Sequence, residues 1–281
     1  LIALASSSTA LTDAETARVR DTVFAIVNAD RVLYGRPALE RDALTDSVAQ
    51  AHADEMLALG YIGHRDASGL TPYLRFGLRG IAYGEENITA AVGEVGYGIA
   101  VAIEEAASSH ARMMAERAPH DGHKLNILGP LHTHMGVGVA HDSTGFRLVT
   151  LFINRHVEFD NLPRRLPVGA STTITGRALD GAEVRSVSVF HEPFPGTPDP
   201  DSLSSPETYA LPSDRVDVYP RLPGNRLYHD GSKGSLVFAD DGSFSFPLSA
   251  RRRGYLTVVL WVIDSRTGEA GAGSGAVVVV M

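Results

Sequence analysis

Four short segments in the first half of this 281-residue sequence carry residue types suited to chemistry near neutral pH. They are Tyr61-Ile62-Gly63-His64-Arg65-Asp66, Gly84-Glu85-Glu86-Asn87-Ile88, Met113-Met114-Ala115-Glu116 and Gly122-His123-Lys124-Leu125-Asn126-Ile127-Leu128. Histidine changes charge between about pH 5 and 8 and is the commonest metal ligand. Glutamate serves as a general base, a ligand, or the partner that fixes a histidine tautomer. The sequence has no cysteine, which excludes a disulfide framework and thiolate chemistry. Gly273-Ser274-Gly275 lacks the spacing of a nucleophile elbow. Gly93-Glu94-Val95-Gly96-Tyr97-Gly98 lacks the dinucleotide fingerprint, and no strand precedes it.

The segments sit between helical patterns. Thr12-Asp13-Ala14-Glu15 reads as a capping box, and Val19, Val23, Phe24, Ile26, Val27 and Leu33 follow as an amphipathic stripe. A second helix is expected from about Thr45 to Leu59, with Gly60 as its stop. Thr71-Pro72 starts a short third helix, and a fourth covers about Gly98 to Arg117. Met135–Ala140 and Phe146–Ile153 read as strands joined by a turn at Asp142-Ser143-Thr144-Gly145. His52 faces inward on the second helix and reads as a core histidine. His110, His120, His132, His134 and His141 read mostly as surface residues.

The second half differs in composition. Nine of the eleven histidines lie at or before His156, and eleven of the fifteen prolines at or after Pro163. Ser171–Thr175, Val184–Phe190, Leu236–Phe238, Ser243–Leu248, Tyr255–Ile263 and Ala276–Val280 read as strands, with turns at Asp180-Gly181, Asp241-Gly242 and Thr267-Gly268. Glu192–Gly224 is too proline-rich for central strands and reads as a long loop with at most one edge strand. The expected organisation is an extension over 1–11, an α+β domain over 12–160, a linker over 161–167 and an all-β immunoglobulin-like sandwich over 168–281. The net charge of −8 argues against nucleic acid as a partner. Apolar runs such as Ala276–Met281 fall far short of the ~20 residues of a membrane span. Leu1–Ala5, without an initiator Met, reads as the remnant of a removed signal peptide.

In order and spacing, the four segments resemble the CAP superfamily of cysteine-rich secretory, antigen 5 and pathogenesis-related (SCP-like) proteins. The subtype they resemble is bacterial, with a Gly-Glu-Asn-Ile segment, a Gly-His-Arg-x-Asn-Ile-Leu segment and a Gly-Val-Gly strand, here Gly136-Val137-Gly138. The resemblance covers about 145 residues and implies an α-β-α sandwich with a cleft lined by two His and two Glu. By position these are His64, Glu86, Glu116 and His123. Gly63 stands where many relatives have Ser, Met113 where Trp is common and Lys124 where Arg is usual, and Glu85 is an extra acid.

Two imidazoles and carboxylates in one cleft suit a zinc-type divalent metal on His64 and His123, with the glutamates as ligands or as orienting partners. Plain structural roles stay open for each residue. His64 could be a loop histidine bonded to backbone, and Glu86 the cap of a loop or helix. Glu116 could be a solvated helix-end acid, and His123 a brace for the loop that follows. The functional expectation is a secreted or envelope-associated binding module for a metal or a small, including lipid, ligand. It is not expected to be an enzyme, and its other partners would lie at a cell surface or in a matrix. The alternatives are a metal-assisted peptidase or esterase with Glu86 or Glu116 as base, and a structural or adhesion module.

Overall fold

The computed structural model describes residues 10–92, 98–179, 181–204 and 209–281. The expected signal-peptide remnant, most of the rejected glycine-rich stretch and Asp180 of one expected turn lie outside the described residues.

The first domain runs α1 (Asp13–Leu33), β1 (Glu40–Arg41), α2 (Ala43–Leu59), α3 (Pro72–Leu78), β2 (Gly84–Val92), α4 (Ile99–Met114), α5 (Gly122–Ile127), β3 (His134–Asp142) and β4 (Gly145–Ile153). The capping box forms, with the Glu15 amide donating to the Thr12 hydroxyl and the Thr12 amide to the Glu15 carboxylate. Gly60 ends α2 in the left-handed region, φ 73°, where a Cβ would be strained. The fourth helix stops at Met114, so Glu116 lies just beyond it.

The sheet has the order β1-β3-β4-β2. Period-two alternation divides β4 between two cores. Phe146, Leu148 and Phe152 pack with Val19, Val23 and Val27 of α1 and Ala102 and Ala106 of α4. Val149, Leu151 and Ile153 pack with Val48, Ala53 and Met56 of α2 and Phe76 of α3. Helices therefore cover both faces of the sheet. The Gly-Val-Gly strand follows from this layering. A Cβ on Gly136 would lie 2.4 Å from the Thr45 carbonyl carbon, and one on Gly138 2.1 Å from that of Ala49. The backbone of α2 lies against these glycines, and Val137 points to the other core.

The second half contains β5 (Val157–Phe159), β6 (Arg165–Leu166), β7 (Ser171–Ala178), β8 (Ala182–Glu192), one turn of helix α6 (Pro200–Leu203), β9 (Arg215–Val218), β10 (Val237–Phe238), β11 (Ser243–Ser249), β12 (Gly254–Asp264) and β13 (Ala270–Val280). Its sheets have the orders β10-β11-β7-β5 and β6-β13-β12-β8-β9 and share one core, in which Ile174, Phe244 and Phe246 meet Val187, Val258 and Val278. β5, within the expected first domain, pairs with β7, and β6, within the expected linker, pairs with β13. β9 is an edge strand inside the long proline-rich segment. The two halves touch through apolar contacts. Tyr73, Leu74 and Val277 are buried together, with Leu70, Tyr209, Leu211 and Tyr255 packed around them.

Candidate functional site

Each of the two histidines meets its own glutamate. Glu86 lies on β2, not on the cap of a loop or helix. Its neighbours in register are those of an edge strand, paired on one side with β4. Its side chain is fully buried, and Oε1 lies 2.9 Å from His64 Nδ1. Oε2 takes the Arg75 guanidinium from α3. Burial alone would favour the protonated acid, but the Arg75 charge and the His64 hydrogen bond outweigh it and hold the carboxyl at about 2. An ionised carboxylate only accepts, so His64 Nδ1 carries the proton. Both Glu86 oxygens are engaged and have little proton affinity at neutral pH, which suits a fixed anion better than a general base.

The loop that carries His64 is clamped on consecutive carbonyls. Arg75 Nη1 donates to the His64 carbonyl at 3.0 Å. His52 Nε2 meets the Gly63 carbonyl at 3.0 Å. His52 is buried, as expected of a core histidine. Burial, then the nearby Arg75 charge, pulls its pKa down to about 4, so the ring is neutral and Nε2–H is the donor.

The second pair is assembled where α4 gives way to α5. Glu116 Oε1 accepts from His123 Nδ1 at 2.6 Å, and Oε2 from the amides of His123 at 3.1 Å and Lys124 at 3.3 Å. The carboxylate thus caps α5 and fixes the ring it introduces. A short helix carries His123, where the sequence reading saw none. Arg31, buried on α1, anchors the other end of α5 through the carbonyls of Ile127 at 2.7 Å and Gly129 at 3.1 Å.

Asn87 and Asn126 join the halves. The Asn87 amide donates to the His123 carbonyl at 2.9 Å, and Asn126 donates to Asn87 Oδ1 at 2.9 Å. Residue 87 follows Glu86 on β2, so one strand step connects the His64 pair to the α5 loop. Neither Nε2 atom, of His64 or of His123, has a protein hydrogen-bond partner among the described residues.

The sequence missed two further members. Arg75 is a charge set within the apolar run Tyr73-Leu74-Arg75-Phe76, and that was its only signal. Tyr209 comes from the second half, and no local pattern marks it. Its hydroxyl accepts from the Glu86 amide at 2.6 Å, and its ring lies edge-on to His64 at 4.8 Å. Three histidines read as surface residues are buried instead. His110 bonds Asp30 at 2.7 Å, His132 bonds Asn154 at 2.5 Å, and His141 bonds the Gly145 carbonyl at 3.0 Å. His110 joins two helices, His132 the segments before β3 and after β4, and His141 the two sides of the β3–β4 turn, where alternation of residue types gives no warning.

A carboxylate on Nδ1 with Nε2 left over is the outer partner arrangement of a metal-bound histidine. Among the described residues, however, no three His, Asp or Glu side chains group closely enough to hold one ion. Among the described residues, His, Asp and Glu therefore offer an ion here at most two side chains.

Fold and site together define a three-layer α-β-α domain with paired His–Glu dyads, followed by a two-sheet β unit. Residues 24–153 match the cysteine-rich secretory protein family (CAP), and this segment is a CAP domain. An extracellular protein containing an SCP domain from Bacillus anthracis is similar at 20% identity and a TM-score of 0.40, over 51% of this chain and 44% of that one. An outer surface protein from Borrelia burgdorferi is similar at 15% identity and a TM-score of 0.41, over 52% of this chain and 97% of that one. The chain thus spans less than half the length of the Bacillus protein. No curated protein sequence matches. No helix among the described residues is long and apolar enough to cross a membrane.

Proposed function

We propose that this is an extracellular or envelope-associated binding module whose two histidines take a divalent cation of zinc type or another small polar ligand. The observation that carries the reading is that both rings are fixed through Nδ1 by a glutamate while Nε2 has no partner among the described residues. His64 and His123 would hold the ion, Glu86 and Glu116 would keep both rings in the ligating tautomer, and water or a ligand oxygen would complete the shell. A bound cation would supply Lewis acidity at this position. The match of residues 24–153 to the cysteine-rich secretory protein family supports the extracellular placement. Apolar surface beside His64 is already covered by Leu203 and Tyr209, which favours a small polar ligand over a lipid. We read the β unit as an immunoglobulin-like spacer, on the strength of its two sheets and shared core.

Metal analysis after zinc loading tests the reading. Chelator-free native protein retains zinc, and the His64→Ala/His123→Ala double variant loses it. Equal zinc in both sinks the metal assignment. Native protein without zinc, but with a small anion or sugar whose binding depends on the two histidines, keeps the site and changes its ligand.

A further inference from the structure

Between β8 and β9 the described stretches 193–204 and 209–214 include residues that lie against the first domain. Their contacts fall on the elements that build the His64 half. A Cβ on Gly69 would lie 3.1 Å from the Pro195 side chain and 3.2 Å from the Gly196 carbonyl. Tyr73 on α3 reaches Glu192 and the Ala210 carbonyl, each at 3.4 Å. Leu203 is 9% exposed and packs in the α2–α3 core with Tyr61 and Phe76. The Ile62 amide donates to the Ser204 hydroxyl at 3.5 Å. The Leu203 carbonyl lies so close to Gly63 that a Cβ there would sit 2.0 Å from its oxygen.

Gly63 is the position where many relatives carry Ser. The departure has a steric reason, because any side chain would collide with the backbone of Leu203. Tyr209 completes the cover. β2 is an edge strand, and its Glu86 amide needs a partner. The Tyr209 hydroxyl supplies one, and its ring stands against His64.

We infer that the second domain gates the His64 half of the site, with Leu203 and Tyr209 as the residues that decide which ligands reach His64 Nε2. The His64 side chain keeps 24% of its surface exposed, room for a small hydrated cation. A peptide or an acyl chain reaches His64 only when Leu203 and Tyr209 move off it. The specificity statement rests on the reading of His64 and His123 as one ligand site. The gate itself does not, and it can be measured with no ligand present.

The experiment is carbethoxylation of the full chain by diethyl pyrocarbonate, with each histidine followed by mass spectrometry in the presence of chelator. In the native protein His123 reacts faster than His64. Tyr209→Ala and Gly63→Ser act from opposite sides of the contact, and each raises the His64 rate roughly tenfold by making the covered state easier to open. The His123 rate stays unchanged, and His141, buried and away from the contact, stays unmodified as the reporter of an intact fold. Tyr209→Phe keeps the ring and most of the protection. Two results overturn the gate. One is a His64 rate within about twofold of native in both releasing variants, too small a change for a lost cover. The other is a parallel rise at His141 and His123, which makes the contact a clamp on the whole fold. Failure of zinc binding, by contrast, bears on the ligand reading and leaves these rates untouched.

Discussion

His64 and His123 each give Nδ1 to a glutamate, but the two glutamates live in different surroundings. The Glu86 side chain is fully buried, and its charge is balanced by Arg75. The Glu116 side chain is 22% exposed, and the described residues place no Arg or Lys at ion-pair distance from it. His64 lies under Tyr209, whereas the His123 side chain is 42% exposed. Similar local chemistry is therefore built once into the core and once on a helix end. The buried pair is a structural commitment of the fold, and the exposed pair can be altered with little effect on the rest.

The widest separation between the halves should come from removing one charge of the buried pair. Glu86→Gln leaves Arg75 buried without its anion, which costs about 3–5 kcal/mol of stability. Urea unfolding reads this directly. A loss below about 1 kcal/mol would place Arg75 in contact with water and erase the contrast.

Acid should act on the same half and spare the other. His52 has its folded pKa lowered to about 4. A buried neutral histidine contributes stability that is present above its unfolded pKa of about 6.5 and is lost as pH falls towards 4, on the order of 3 kcal/mol. Glu86, held at about 2, adds a second loss as pH falls from its unfolded value near 4.3 towards 2. Stability of the metal-free protein should therefore decline in two overlapping stages from about pH 6.5. His52→Gln should flatten the upper stage, and an unchanged profile would mean that His52 already titrates normally in the folded chain. Smaller again is the brace between the halves. Asn87→Ala removes the bond to the partly buried His123 carbonyl, at about 1 kcal/mol. It should also loosen α5, seen as faster amide exchange at Lys124–Ile127.

The same contrast explains what the sequence could and could not tell. The capping box, the Gly60 stop and the two long strands were legible because each is signalled by residues within a few positions. His64, Glu86, Glu116 and His123 stand out by type and flanking segment, and the structure pairs them as His64–Glu86 and His123–Glu116. Glu86 on a strand was not legible. Gly84–Val92 shows no clean alternation, since α3, α4 and Tyr209 cover different parts of one edge strand. Arg75 and Tyr209 were not legible either, because their partners lie 11 and 123 residues away. Gly63 stands out as a departure, but its cause, the Leu203 carbonyl, belongs to the other domain. A single sequence gives local chemistry well, and it gives tertiary cover poorly. The burial of His110, His132 and His141 was missed for that reason.

The smallest effect on stability should fall at Glu116, where it separates structure from function most clearly. Glu116→Gln retains an oxygen able to accept from the His123 and Lys124 amides, so the α5 cap survives in part and unfolding shifts by about 1 kcal/mol or less. The His123 ring loses the anion that fixes its tautomer. If the site holds zinc through Nε2, affinity should fall about 10–100-fold with the fold unaltered. Glu86→Gln would also weaken zinc, but only together with stability. Titration of both variants with zinc, followed by calorimetry, distinguishes the two halves. Unchanged affinity in Glu116→Gln would reduce Glu116 to a helix cap and confine any ion to the covered half, where Tyr209 controls access.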